Sequence, residues 1–388
     1  MPFITATQIH DGKTLLPAGT TIEVSEDGTI LNIIAEPTAD TIYYEGMLAP
    51  GFVNVHCHLE LSHMKGVVPE HTGLIPFLET IPLSRNKYTE EQKTEARHAA
   101  YNELLQNGVV AVGDIANTTD TIDIRELDKL NIYTFVESIG FTEANAERSF
   151  GYGVSTYNAF AGQEEQQKKL QQTIVPHAPY SVSPALFRLI DGHQPGAPIS
   201  IHNQESEEEN RFYQTKEGGV LRLLSTLGID PASFIPTGKT SLYSYMEWLS
   251  PDHPFILVHN TCSTREDVQY AEKRIKELYW CLCPNANLYI ENKLPDVAML
   301  MDEEAMICIG TDSLASNHQL SVLAELQTIN QHYPNISWEN LITWGTYNGA
   351  AALQMKEHIG NIATGKKPGI LLLTGMDTQP SITVLYNA

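Results

Sequence analysis

Eight short apolar runs rich in β-branched residues recur through this chain: Phe52–Val55, Val109–Val112, Ile132–Val136, Thr173–Val175, Ile199–Ile201, Phe255–Val258, Leu278–Leu282 and Met306–Ile309. Helical stretches lie between them, including Glu91–Gln106, Pro184–Leu189, Thr264–Glu277 and Leu320–Asn330. A helix after each strand carries the chain back, so the next strand starts in the same direction and the sheet is parallel. Strands covered on both faces read as continuous apolar runs. Eight such units predict a closed (β/α)8 barrel. A chain of 388 residues has room for a barrel and an appendage. Both ends supply β segments for one. "TTIEVSEDGTILNII" alternates around the turn pair Asp27-Gly28, and "KKPGILLLTG" and "SITVLYNA" bracket a polar loop. The expected class is therefore α/β: a (β/α)8 TIM-like barrel over residues 51–355, beside a small β-sandwich domain built from residues 1–50 and 356–388.

In such barrels chemistry gathers at the C-terminal ends of the strands. Here those ends are polar. The first run leads into His56 and His58 ("GFVNVHCHLELSH"), the fourth into His177 and the fifth into His202, with Glu205 three residues on. The sixth leads into His259 and the eighth into Asp312. Residues i and i+2 of a strand share a side, so His56 and His58 can hold one ion between them. Each residue alone also has a structural reading, as a satisfied polar group at a strand end. Together at one barrel mouth, three neutral imidazoles and a carboxylate suit Zn²⁺, with a water completing the shell.

A net charge of −23 argues against nucleic acid or an anionic membrane as partner. Five scattered cysteines make a disulfide framework unexpected and point to a reducing cytoplasm. The start, "MPFITATQIHDGKTL", has neither the basic nor the apolar region of a signal peptide, and no apolar run reaches the length of a membrane span. Cys281 and Cys283 read as barrel packing. In "ESEEEN" only Glu205 is assigned to chemistry, with Glu207, Glu208 and Glu209 expected to be solvated. Neither G-x-G-x-x-G nor G-x-x-x-x-G-K-[ST] occurs in a nucleotide-binding context.

"PGFVNVHCH", "ISIHNQE", "LVHN" and "GTDSLASN" resemble the amidohydrolase superfamily, in its mononuclear deaminase branch. The likeness runs through nearly the whole chain, including the terminal β segments. It implies that His56, His58, His202 and Asp312 bind one divalent ion, Zn²⁺ first and Fe²⁺ as the alternative. It implies that Glu205 shuttles protons, that Asp312 also accepts one, and that His259 polarises substrate or water. Two-metal members carry a bridging carboxylate or carboxylated lysine at the fourth strand; His177 stands there here and favours a single ion. The reaction implied is hydrolytic removal of ammonia from an aminated heterocycle. "HLELS" and "GLIPFLETIPLSR" resemble aminodeoxyfutalosine deaminases, which act on a 6-aminopurine nucleoside derivative in menaquinone biosynthesis. Relatives acting on S-adenosylhomocysteine carry Arg-Gly after the first strand, where this chain has Lys65-Gly66. Glu60, His177, Ser316 and Arg85 are the candidate substrate contacts, with Arg148 and the aromatic rings of Tyr88 and Tyr180 in reserve. Guanine, cytosine or a pterin as substrate, or hydrolysis of a cyclic amide or ring halide, are the alternatives. A non-catalytic metal-binding barrel is a further one. The expected partner is a small heterocycle, and a homodimer is compatible with the sequence.

Overall fold

The computed structural model describes residues 2–164, 170–376 and 378–388. Its strands are β1 (Phe3–Ile9), β2 (Thr21–Val24), β3 (Ile30–Ile34), β4 (Thr41–Pro50), β5 (Phe52–Cys57), β6 (Val109–Ala116) and β7 (Asn131–Ser138). There follow β8 (Leu170–Pro176), β9 (Ile199–Asn203), β10 (Phe255–His259), β11 (Leu278–Leu282), β12 (Ile307–Ile309), β13 (Ile370–Thr374) and β14 (Ser381–Tyr386). Each of the eight apolar runs contains or becomes one of the strands β5 to β12.

Strands β5 to β8 pair in parallel and in order, as do β9 to β12. Backbone hydrogen bonds cross both seams between these halves. His202 N donates to His177 O at 2.9 Å, and Thr311 N and Asp312 N both donate to His56 O at 3.0 Å. The ring of eight is thereby closed. Gly310 allows the second seam: a Cβ there would lie 2.8 Å from His56 Cβ and 2.9 Å from His56 O. Along each strand, side chains alternate between two apolar layers. Val53, Val55, Phe135, Ile256, Val258, Cys281 and Cys308 fill one layer; Phe52, Ile132, Val136, Leu257 and Trp280 pack in the other with helix residues such as Leu104, Phe187 and Leu326. All five cysteines are free and buried, which agrees with a packing role.

The expected helices form with ends moved by one to three residues, as Glu90–Gln106, Pro184–Asp191, Arg265–Arg274 and Val322–His332. Thr89 and Gln92 make a reciprocal cap for the first, and Thr264 and Asp267 do the same for the third. That third helix stops at Arg274 because Ile275 turns extended and leads into β11.

The two chain ends meet in one six-stranded mixed sheet of order β14-β13-β4-β1-β2-β3. β13 pairs antiparallel with β4, placing Leu372 opposite Leu48, while β1 lies parallel to β4. The small β domain expected of the termini thus joins its strands edge to edge within one hydrogen-bonded sheet. Ile4, Ile22, Val24, Ile30, Leu48 and Ile370 make its core. The turn at Asp27-Gly28 links antiparallel β2 and β3, with Gly28 at φ 89°. Among the described residues, no helix is long and apolar enough to cross a membrane.

Candidate metal centre and its cavity

His56 lies near the end of β5, His58 just beyond it, His202 one residue before the end of β9, His259 at the end of β10, and Asp312 after β12. His58 Nε2 is 3.2 Å from His56 Nε2, 3.4 Å from His202 Nε2 and 3.4 Å from Asp312 Oδ1. His56 Nε2 is 3.7 Å from the same oxygen. Zinc bonds to nitrogen and oxygen of about 2.0–2.2 Å put neighbouring ligands of a tetrahedral shell about 3.3–3.6 Å apart. The observed separations match that shell, and the residues fit one divalent ion. His259 also belongs to a group with His56, His202 and Asp312 whose donor atoms lie within 4.8 Å of one another.

Hydrogen bonds separate His259 from the other imidazoles in kind. His202 Nδ1 lies 2.9 Å from the His177 carbonyl, which can only accept, so that nitrogen carries the proton and Nε2 keeps its lone pair. His259 Nδ1 instead accepts from Asn287 Nδ2 at 3.1 Å. Its proton is therefore on Nε2, which points toward Glu205 Oε1 at 3.8 Å. His259 presents a donor to the site, and a lone pair is what a metal needs. Gln204, His259 and Asp312 all have left-handed backbones, at φ 46°, 75° and 56°. Such strain in non-glycine residues gathers where side chains must be aimed.

Burial pulls His58, His202, His177 and His259 below the usual imidazole range, His202 and His177 to about 4. They are neutral at pH 7, as ligands must be. The carboxyls diverge. Burial alone would raise Asp312, but the adjacent imidazoles of His56, His58 and His259 hold it well below the ordinary range. Glu205 is pushed well above its ordinary value by burial, then by Asp312 and Glu209. The two carboxyls of the site are thus shifted in opposite directions.

These groups sit at the floor of a cavity of about 560 Å³. Leu74, Phe77, Leu78 and Ile81 of the helix Leu74–Ser84 form one apolar wall, with Leu223, Leu224 and Leu227 also lining the space. Arg85, Arg148, His177 and Tyr180 line it too. Tyr88 does not; its ring packs against His63 with centroids 5.1 Å apart.

Two expected substrate contacts are corrected. Glu60 does not line the cavity. Its Oε2 accepts from Asn117 N at 3.0 Å and Thr118 N at 3.3 Å, and its Oε1 lies 3.4 Å from Arg85 Nη2. It anchors the loop after β6, and burial lifts its carboxyl to about 7. Ser316 is fully buried, and its Oγ lies 2.5 Å from Asp312 Oδ2, so it orients that carboxylate. Glu209 is also not solvated: it is buried and accepts from Gln204 N at 3.0 Å and from Ser241 Oγ, fixing the turn that carries Glu205. Sequence reasoning passed over Glu137, which lines the cavity from the end of β7. "FVES" held the signal: a carboxylate directly after an apolar strand run.

The profile of the amidohydrolase family matches residues 47–387, which takes in the whole barrel and the donor set. This chain belongs to the amidohydrolase family. Among related amidohydrolases and deaminases, it is 24% identical to an adenosine deaminase of Helicobacter pylori, covering 84% of this chain and 78% of that protein. It is also 24% identical to an aminodeoxyfutalosine deaminase of Nitratiruptor sp., covering 92% and 87%. The crystal structure of Helicobacter pylori aminofutalosine deaminase in complex with methylthio-coformycin superposes with a TM-score of 0.79 at 21% identity, covering 98% of this chain and 93% of that one.

Proposed function

We propose that this amidohydrolase is a hydrolytic deaminase of a 6-aminopurine nucleoside carrying a bulky acidic group on its 5′ side, of the aminodeoxyfutalosine type. The observation that carries the reading is that Glu205, His259 and Asp312 line one cavity of about 560 Å³, much larger than a purine base, beside the donor set. His56, His58, His202 and Asp312 are the residues that would hold the ion, Zn²⁺ before Fe²⁺. A divalent ion held there supplies the Lewis acidity that makes water a nucleophile near neutral pH, lowering its pKa from about 15.7 to roughly 7 in favourable sites.

The chain's own groups do the rest. Asp312 Oδ2 is held by Ser316, and the carboxylate takes the proton that water gives up. Glu205 delivers its proton to the ring nitrogen next to the attacked carbon; Asp312 then passes the proton taken from water to the departing amino group, and the proton of the new hydroxyl returns to Glu205 as ammonia leaves. His259 Nε2–H stabilises the negative charge that builds on the attacking oxygen. His177 faces the base. The leucine-lined wall suits an apolar 5′ substituent, and Arg85 and Arg148 suit its carboxylate. Within this reading, residues 51–355 are the catalytic barrel, and residues 1–50 with 356–388 are the accessory β domain.

The related deaminases of adenosine and aminodeoxyfutalosine support purine chemistry. Glu205 favours it over cyclic amide hydrolysis, because protonating a ring nitrogen is what a deaminase requires. A coupled ammonia-release screen tests the reading across aminodeoxyfutalosine, adenosine, 5′-deoxyadenosine, guanine, cytosine and pterins. Release from aminodeoxyfutalosine in preference to adenosine is the expected result. Release from guanine, cytosine or a pterin alone would discard the substrate, and no release from any would discard the reaction.

A further inference from the structure

Among the described residues, His202 differs from the other two imidazoles of the donor set in how its outer nitrogen is held. His56 Nδ1 and His58 Nδ1 are buried without a hydrogen-bond partner. His202 Nδ1 donates to the His177 carbonyl at 2.9 Å, and Glu137 Oε1 lies 3.4 Å from the same nitrogen. The Glu137 side chain is 3% exposed, and its Oε2 accepts from Asn117 Nδ2 at 2.6 Å. Asn117 follows β6 and Glu137 ends β7, so two neighbouring strand ends brace a histidine of β9.

A carboxylate behind an imidazole fixes the tautomer and the ring plane, and makes the opposite nitrogen a stronger electron-pair donor. The other carboxyls at this barrel mouth are engaged elsewhere. Glu60 holds Asn117 N, Thr118 and Arg85. Asp312 belongs to the donor set, and Glu205 faces His259. Glu137 alone among these four stands behind a ligand.

We propose that Glu137, held by Asn117, is a positioning residue that locks His202 for the metal and so sets the affinity of the site. The proposal rests on the single-ion reading above. It assigns to Glu137 a role through His202, with no contact to the reacting atoms.

The test is Zn²⁺ affinity, measured on metal-free protein by competition with a chromophoric chelator, for wild type, Glu137→Gln and Asn117→Ala. Glu137→Gln should bind Zn²⁺ about 10- to 100-fold more weakly, the usual effect of removing such a partner. Its metal-free thermal midpoint should stay at the wild-type value, while the rise on adding Zn²⁺ shrinks. Asn117→Ala, which frees Oε2 but keeps the carboxylate, should weaken Zn²⁺ binding in the same direction by less, and it serves if Glu137→Gln fails to fold. Unchanged Zn²⁺ affinity with a raised KM would make Glu137 a substrate contact and overturn the proposal. A lowered metal-free midpoint with unchanged affinity would make it structural and overturn it too. A wild-type protein that takes up no Zn²⁺ would overturn the single-ion reading itself, and the wild-type titration separates that outcome from a loss confined to the variants.

Discussion

Replacing Glu205 by Gln isolates proton transfer from everything else at the site. The side chain is buried, and its carboxyl is raised by burial, then by Asp312, Glu209 and Glu291. An amide of the same shape fills the same space. Among the described residues its carboxyl makes no hydrogen bond that the amide would forfeit; His259 Nε2 lies 3.8 Å from its Oε1. The fold should lose about 1 kcal/mol or less, since neither a cavity nor an unpaired charge is created. The ion should stay, because no ligand atom changes. What disappears is a proton donor within reach of the substrate, worth about 10²- to 10⁴-fold. That is roughly 2.7–5.4 kcal/mol of barrier. Steady-state ammonia release should show kcat reduced by that factor with KM little changed, while metal content and thermal midpoint match the wild type. Loss of the ion would make Glu205 a ligand and refute the assignment. Full activity would refute the proton-transfer role.

Protein loaded with excess Zn²⁺ and then desalted should retain one ion per chain by elemental analysis; two tightly held ions would refute the single-ion reading. Arg148 lines the cavity, is exposed, and forms no ion pair among the described residues, so Arg148→Ala tests recognition without disturbing a partner. Exposed pairs contribute about 0–1 kcal/mol, so KM for an acidic 5′ substrate should rise by no more than about fivefold while KM for adenosine stays put; equal changes would remove Arg148 from recognition. Glu325 is raised to about 8, chiefly by burial, although it accepts from Asn285 N and Asn317 Nδ2, each at 2.8 Å. The unfolded chain releases this proton near the ordinary value of 4.5, so between there and about 8 the folded state binds more protons and stability falls as pH rises. Urea midpoints should therefore drop from pH 5 to pH 8, and Glu325→Gln should drop less steeply; parallel slopes would show that this carboxyl is not the source.

The barrel was legible because parallel strands covered on both faces leave an unbroken apolar signature, and a polar residue closing such a run stands out. That rule located His56, His202, His259 and Asp312. Glu137 obeys the same rule, standing directly after the apolar run that ends at Val136, and was passed over among the histidines. Glu60 was misplaced for a different reason. It sits in the short 3₁₀ helix Leu59–Met64, which sequence reasoning took for a loop, and a side chain near the mouth can aim outward as well as in. Glu209 was readable after all. It lies three and four residues before the buried Phe212 and Tyr213, on one face of the helix Glu207–Thr215, and the adjacent acidic run masked that spacing. The arrangement of the terminal strands was not legible, because alternation fixes which face is buried but not which edges join.

The chemistry comes from unequal surroundings given to two similar side chains. Asp312 and Glu205 are both buried, and burial pushes both carboxyls upward. Around Asp312 that push is outweighed by imidazoles on three sides, with Ser316 Oγ 2.5 Å from its outer oxygen. Around Glu205 it is reinforced, because the nearest charges are carboxyls, Asp312 first among them. The ionised residue thus helps to keep its neighbour protonated. Two carboxyl groups driven apart in this way form an acid and base pair ready at one pH. A cation in the donor set would draw on Asp312 directly and on Glu205 only at a distance, which would widen the gap between them. Asp312, one of the four residues that would bind the ion, therefore also helps burial to raise the carboxyl proposed to move protons.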